Sequence, residues 1–210
     1  MSPERATSLK RVGVVTLLPD ALSYEKMGIT VFNNEKTSVP VGDVFNMSAW
    51  RGAEKALKQP GREVVRLQVD IAKLAKKLRS GIIYFDSSAE FIKDDLLTLV
   101  SQHRLDAIVI VGQAFDSENG VNGIRMFFRA GFGTIDAAVL MPAVGVISVD
   151  ERIKRLAYGC CQPPRIAVAR PGEQPWQYKL DANLDPSTHA YLTREVQEAI
   201  ETNIERNIRS

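Results

Sequence analysis

Two cysteines among 210 residues, adjacent at Cys160 and Cys161, leave this chain without a disulfide framework. Adjacent cysteines rarely join each other, because the ring they close strains the peptide between them. Histidine is as scarce, with His103 and His189 the only two. A zinc site of the usual kind has too few ligands near the cysteine pair, so no metal is expected, and the thiols read as small buried side chains.

Long apolar runs are missing as well. No stretch approaches the roughly 20 residues that cross a bilayer, so the chain is expected not to span a membrane. The polar and basic segment 1–11 is not followed by the apolar core of a signal peptide. The chain as written is therefore expected in the cytoplasm; removal of a leader would place it in the periplasm or envelope.

An excess of charge of one sign is also lacking. Lys and Arg number 27 against 25 Asp and Glu. The densest basic run, Lys73, Lys76, Lys77 and Arg79, falls on a stretch of helical periodicity and reads as a solvated helix face. No nucleic-acid partner is expected, since such a surface normally concentrates its charge in a stripe.

What is present belongs to a folded α/β chain. Apolar residues make up 45% and charged residues 25%, enough burial potential to exclude disorder of the whole chain. Residues 1–10 read as a flexible arm and 11–210 as one domain. Residues 11–18, with Val12, Val14, Val15, Leu17 and Leu18, read as a buried strand closed by Pro19-Asp20. Runs at 29–32 and 38–41 flank the polar 33–36 and read as a hairpin.

Ser48 is expected to cap a helix that Pro60-Gly61 stops near Gln59. Residues 63–69 alternate as a strand does. Asp70 caps a helix with the stripe Ile71, Leu74, Ala75 and Leu78, terminated by Gly81. Residues 82–85 form a short apolar run. Ser87 and Glu90 have the spacing of a capping box, opening a helix that ends near His103. Residues 106–111 are the clearest buried strand.

Beyond it, 123–130, 137–149, 153–158 and 166–169 read as extended, suggesting an antiparallel meander. Asp185-Pro186 opens a final helix with the stripe Leu192, Val196, Ile200, Ile204 and Ile208. The expected fold is thus α/β: a mixed sheet with amino-terminal βα units, an antiparallel carboxyl-terminal meander and a long final helix.

Glycines at 120, 123, 131 and 133 precede extended rather than helical sequence and no Walker lysine follows, so they are not read as a phosphate cradle. No cofactor is expected. No Gly-x-Ser-x-Gly elbow is present, and no catalytic residue is assigned. The polar loop after strand 106–111 carries Gln113, Asp116, Ser117 and Asn119. In open α/β sheets ligands sit beyond the carboxyl ends of strands. Gln113, Asp116 and Asn119, with Asp86 and Ser87 after the apolar run 82–85, are the candidate ligand-binding residues, weighed against service as turn residues and caps. The final helix and a loop with Trp176 and Tyr178 offer surfaces for a protein partner or for self-association.

Four segments carry a family resemblance: Val12-Gly13-Val14-Val15, then Gly28-Ile29-Thr30-Val31-Phe32-Asn33-Asn34, then Asp106-Ala107-Ile108-Val109-Ile110-Val111, and Val146-Ile147-Ser148-Val149-Asp150. In order, they resemble bacterial α/β envelope-type proteins similar to the amino-terminal domain of the TolB family and to small envelope lipoproteins. The resemblance implies a non-enzymatic binding or assembly role at the cell envelope and transfers no catalytic residue. The chain departs from exported members in showing neither a signal peptide nor a lipobox cysteine. The alternative expectation is a small-ligand-binding protein or hydrolase with its site at the carboxyl ends of the strands.

Overall fold

The computed structural model describes residues 8–27, 35–80, 93–112, 125–131, 134–140, 144–150, 152–159 and 186–209. The first strand, β1 (Arg11–Leu17), is buried from Val12 onward. It lies between β4 (Glu63–Arg66) and β5 (Ala107–Gly112), parallel to both. A central parallel strand is covered on both faces, which is why β1 and β5 are nearly continuous runs of β-branched residues.

The two faces of this sheet follow from side-chain alternation. Val12 and Val14 join Val109 and Val111 in one apolar cluster. Val15 and Leu17 join Ile108 and Ile110 in the other. The register pairs Val14 with Val109 and Val15 with Ile110, so partners across the ladder share a face. On the first face lie α1 (Val44–Leu57) and α4 (Pro186–Arg209). On the second lie α2 (Ile71–Ser80) and α3 (Lys93–His103).

Helix α4 follows its expectation closely. Leu192, Val196, Ile200 and Ile204 are buried, and Ile208 packs at the margin of the same cluster. The stripe is occupied within the chain, against α1 and the sheet, and does not form a free seam. The crossing is tight at Gly52, where a β-carbon would run into the backbone oxygen of Glu201. Only glycine lets the two backbones approach so closely. Arg51 pairs with Glu201 at 3.0 Å and Lys55 with Glu205 at 2.6 Å, across the same contact.

Helix α1 begins earlier than its sequence suggests. Asp43 stands at its N-cap without a side-chain capping bond, and Ser48 is buried inside the helix, where its hydroxyl accepts from Arg51. Burial decides the difference: Phe45 is wholly enclosed and draws the first turn into the core. Asn46 is buried too. Its amide accepts from the Leu18 N–H at 2.9 Å and donates to the Leu18 carbonyl at 3.1 Å, clamping the end of β1 to α1. Gly61 has φ +76°, the left-handed turn the Pro60-Gly61 pair promised before β4.

The hairpin also differs. Its described arms are β2 (Ala21–Met27) and β3 (Glu35–Pro40), the second overlapping the expected 38–41; the expected arm 29–32 lies outside the described residues. Leu22 and Tyr24 are fully buried, which fixes the register of β2 against β3. Its neighbour β6 (Arg125–Gly131) runs parallel to β2 and antiparallel to β7 (Thr134–Leu140), giving a second sheet of order β3–β2–β6–β7. Strands β8 (Val144–Asp150) and β9 (Arg152–Gly159) form a separate antiparallel pair, with β8 close to β5. Among the described residues the extended half forms two antiparallel pairs, and the single run expected at 137–149 falls in two strands, with Pro142 between them in the sequence. Residues 82–85, 166–169 and the Ser87–Glu90 capping box lie outside the described residues.

Asp106 sits just before β5. Its carboxylate accepts the N–H groups of Lys10 and Arg11 at 2.7 and 2.8 Å, while its own N–H donates to Arg11 at 2.8 Å. This residue ties the start of β5 to the start of β1.

Candidate functional site

The order β4–β1–β5 places a reversal of winding between β1 and β5. The chain leaves β1 toward α1 on the first face, and reaches β5 from α3 on the second. Such a switch point opens a crevice outside the carboxyl ends of the strands. Leu17 and Gly112 are register partners there. Gln113, Asp116 and Asn119 follow Gly112 directly in the sequence, and Asp86 and Ser87 fall between α2 and α3; all five lie outside the described residues. Cys160, Cys161, Trp176 and Tyr178 lie outside them as well.

Two polar arrangements are described on this carboxyl edge. One surrounds the start of α1. Arg66, at the end of β4, donates to the carboxylate of Asp43 at 2.6 Å and also meets the sulfur of Met47. The N–H groups of Val41 and Gly42 donate to the Asp20 carbonyl at 2.8 and 3.1 Å, drawing the end of the hairpin back to the end of β1.

The other is a cleft of about 300 Å³ between the amino-terminal halves of α2 and α3. Gln68, Val69 and Asp70 reach it from the end of β4; Lys73 and Leu74 line it from α2; Asp94, Asp95, Thr98 and Leu99 line it from α3. Asp70 accepts the Lys73 N–H at 2.9 Å, the cap that the sequence indicated. Thr98 spends its hydroxyl proton on the Asp94 carbonyl at 2.7 Å.

Asp95 is the electrostatic centre of the cleft. Lys77 donates to it directly and Lys73 stands 3.7 Å away. The hydrogen bond from Lys77 holds the Asp95 carboxyl below the ordinary carboxylate value, against an opposing effect of burial and with added attraction from both lysines. The expectation of a solvated face for this basic helix is met at Lys73, which is 60% exposed, yet the same face supplies the cleft's cations.

Lysine–carboxylate pairs of this kind neutralise each other and assemble no nucleophile–base pair. No group of three or more His, Cys, Asp or Glu that could hold a metal occurs among the described residues. No helix among them is long and apolar enough to cross a membrane. His103 ends α3, and His189, in the first turn of α4, meets the hydroxyl of Tyr24.

Sequence reasoning missed this cleft. Its signals were Lys73 and Lys77 one turn apart, and Asp94-Asp95 in the first turn of the next helix. Nothing in the linear order says that those two turns face each other. Neither a family model, nor a curated protein, nor a solved structure matches the chain.

Proposed function

We propose that the chain is a non-enzymatic α/β binding or assembly module that takes a small polar ligand at the carboxyl edge of its parallel sheet. The observation that carries this reading is the switch point between β1 and β5, where β5 ends against β1; Gln113, Asp116 and Asn119 are the polar residues that follow β5 in the sequence. Asp86 and Ser87 are the further candidates. The lysine–carboxylate pairing in the neighbouring cleft supports the binding reading, since it offers charge and hydrogen bonds to a polar ligand.

A thermal-shift panel of nucleotides, sugars and divalent metals tests it. A ligand that binds only the native state, at a hundred times its dissociation constant, stabilises by about 2.7 kcal/mol and raises the melting temperature. The gain should vanish in Asp116→Ala. A flat panel together with an unaltered Asp116→Ala chain would overturn the site, and turnover of generic phosphatase, esterase or nucleotide substrates would overturn the non-enzymatic part. The envelope location implied by the TolB-like resemblance belongs to the same proposal. Fractionation of the native host should find the product in the envelope; a wholly cytosolic product would remove that part.

A further inference from the structure

Tyr24 of β2 is fully buried, and its hydroxyl lies 2.7 Å from Nδ1 of His189, in the first turn of α4. The rings meet edge to face with centroids 6.0 Å apart. A buried phenol must place its proton on an acceptor. Neutral imidazole with its hydrogen on Nε2 offers Nδ1 for that purpose, so Tyr24 donates and His189 accepts. Protonated imidazole carries hydrogen on both nitrogens and has no acceptor left. The Tyr24 hydroxyl would then have to receive the Nδ1–H and leave its own proton unpaired in the core.

We infer that the Tyr24–His189 hydrogen bond is an acid-sensitive latch, which holds the amino end of α4 against the second sheet at neutral pH and releases it in mild acid. The latch sits ahead of Leu192, where the buried stripe of α4 begins, so the first turn can part from the sheet while the rest of the helix stays docked.

The groups around His189 fit this role. Tyr24 meets it from β2. On its own helix the positions one turn on are Leu192 and Thr193, neither of them charged; Asp185, four positions before His189 in the sequence, carries a carboxyl and lies outside the described residues. The charged residues of α1 that contact α4, Arg51 and Lys55, are engaged with Glu201 and Glu205, three to four turns away. Strands β8 and β9 also approach α4 and carry Asp150, Arg152, Lys154, Arg155 and Tyr158. Burial is what holds the imidazole below the ordinary histidine value of 6.5. The unfolded chain therefore binds the proton first, and the stability of the latched state falls as pH drops below that value.

Hydrogen exchange of the full chain, corrected for the intrinsic pH dependence of exchange, tests the latch. Protection of residues 187–191 should fall between pH 7.5 and 5.5 by up to about tenfold for each pH unit below the unfolded histidine value, while residues 196–204 keep theirs. His189→Gln stays neutral and retains an acceptor for Tyr24, so its protection should not change with pH. Tyr24→Phe should expose 187–191 at both pH values. Equal pH dependence in wild type and His189→Gln, or a His189 titration at or above 6.5 by NMR, would overturn the latch. A Tyr24→Phe chain that does not fold leaves those two readouts decisive.

Discussion

The two faces of the parallel sheet receive alternate side chains from the same strands, yet they are finished differently. On the first face α1 and α4 cross at Gly52 with their backbones in contact, and two ion pairs flank the crossing. The core beneath them joins residues from β1, β5, the hairpin and both helices. On the second face α2 and α3 stand apart at their amino ends, bridged by Lys73 and Lys77 on Asp95, with a cleft of about 300 Å³ between them. Among the described residues their core is drawn from the sheet, Leu67, Leu74, Leu96 and Leu105. One face closes by backbone approach and the other by long charged side chains, so the first is built for rigidity and the second leaves room. Fully packed interiors lose most when a group is removed, whereas an open cleft can relax.

That contrast can be broken most severely at Phe45. Phe45→Ala empties a wholly enclosed site on the first face and should cost about 3–5 kcal/mol, while Leu74→Ala, beside the cleft, should cost about 2 kcal/mol, the low end of its class. Urea denaturation of both variants measures the gap, and equal losses would erase the distinction between the faces.

Gly52→Ala should come next. Its β-carbon would meet the Glu201 carbonyl, and parting the helices should cost about 1–3 kcal/mol even though alanine is the better helix former. A raised melting temperature would show that the crossing is looser than described. The smallest effect belongs to Asp95→Asn. Its pairs with Lys73 and Lys77 are partly exposed, so the loss at neutral pH should stay under about 1 kcal/mol. Because the folded carboxyl is depressed, its contribution is present above the ordinary aspartate range and is lost as pH falls through the depressed value. Wild type and variant should therefore converge in acid, as measured by melting temperature across pH.

Legibility in the sequence followed the range of the interactions involved. The stripe of α4, the Asp70 cap and the buried strands β1 and β5 were readable because each rests on periodicity or on a neighbour a few residues away. The start of α1 was misjudged because Ser48 has the chemistry of a cap while Phe45 has the burial. Strand β2 went unread because Leu22 and Tyr24 stand among polar residues, and only the sheet they enter shows their value. The cleft and the Tyr24–His189 contact join residues distant in sequence, the latter 165 positions apart, and no local pattern announces them.

By itself the amino-acid sequence determined that this is an α/β chain, with a doubly covered central strand and a long amphipathic final helix. Those properties come from local hydrophobic periodicity, turn chemistry and capping. Tertiary structure alone decided that β6 joins β2 in parallel, that α4 crosses α1 at Gly52, and that the amino ends of α2 and α3 frame a charged cleft. Each of these depends on which distant surfaces meet, and that is chosen by packing of the whole chain rather than by the preferences of any one segment.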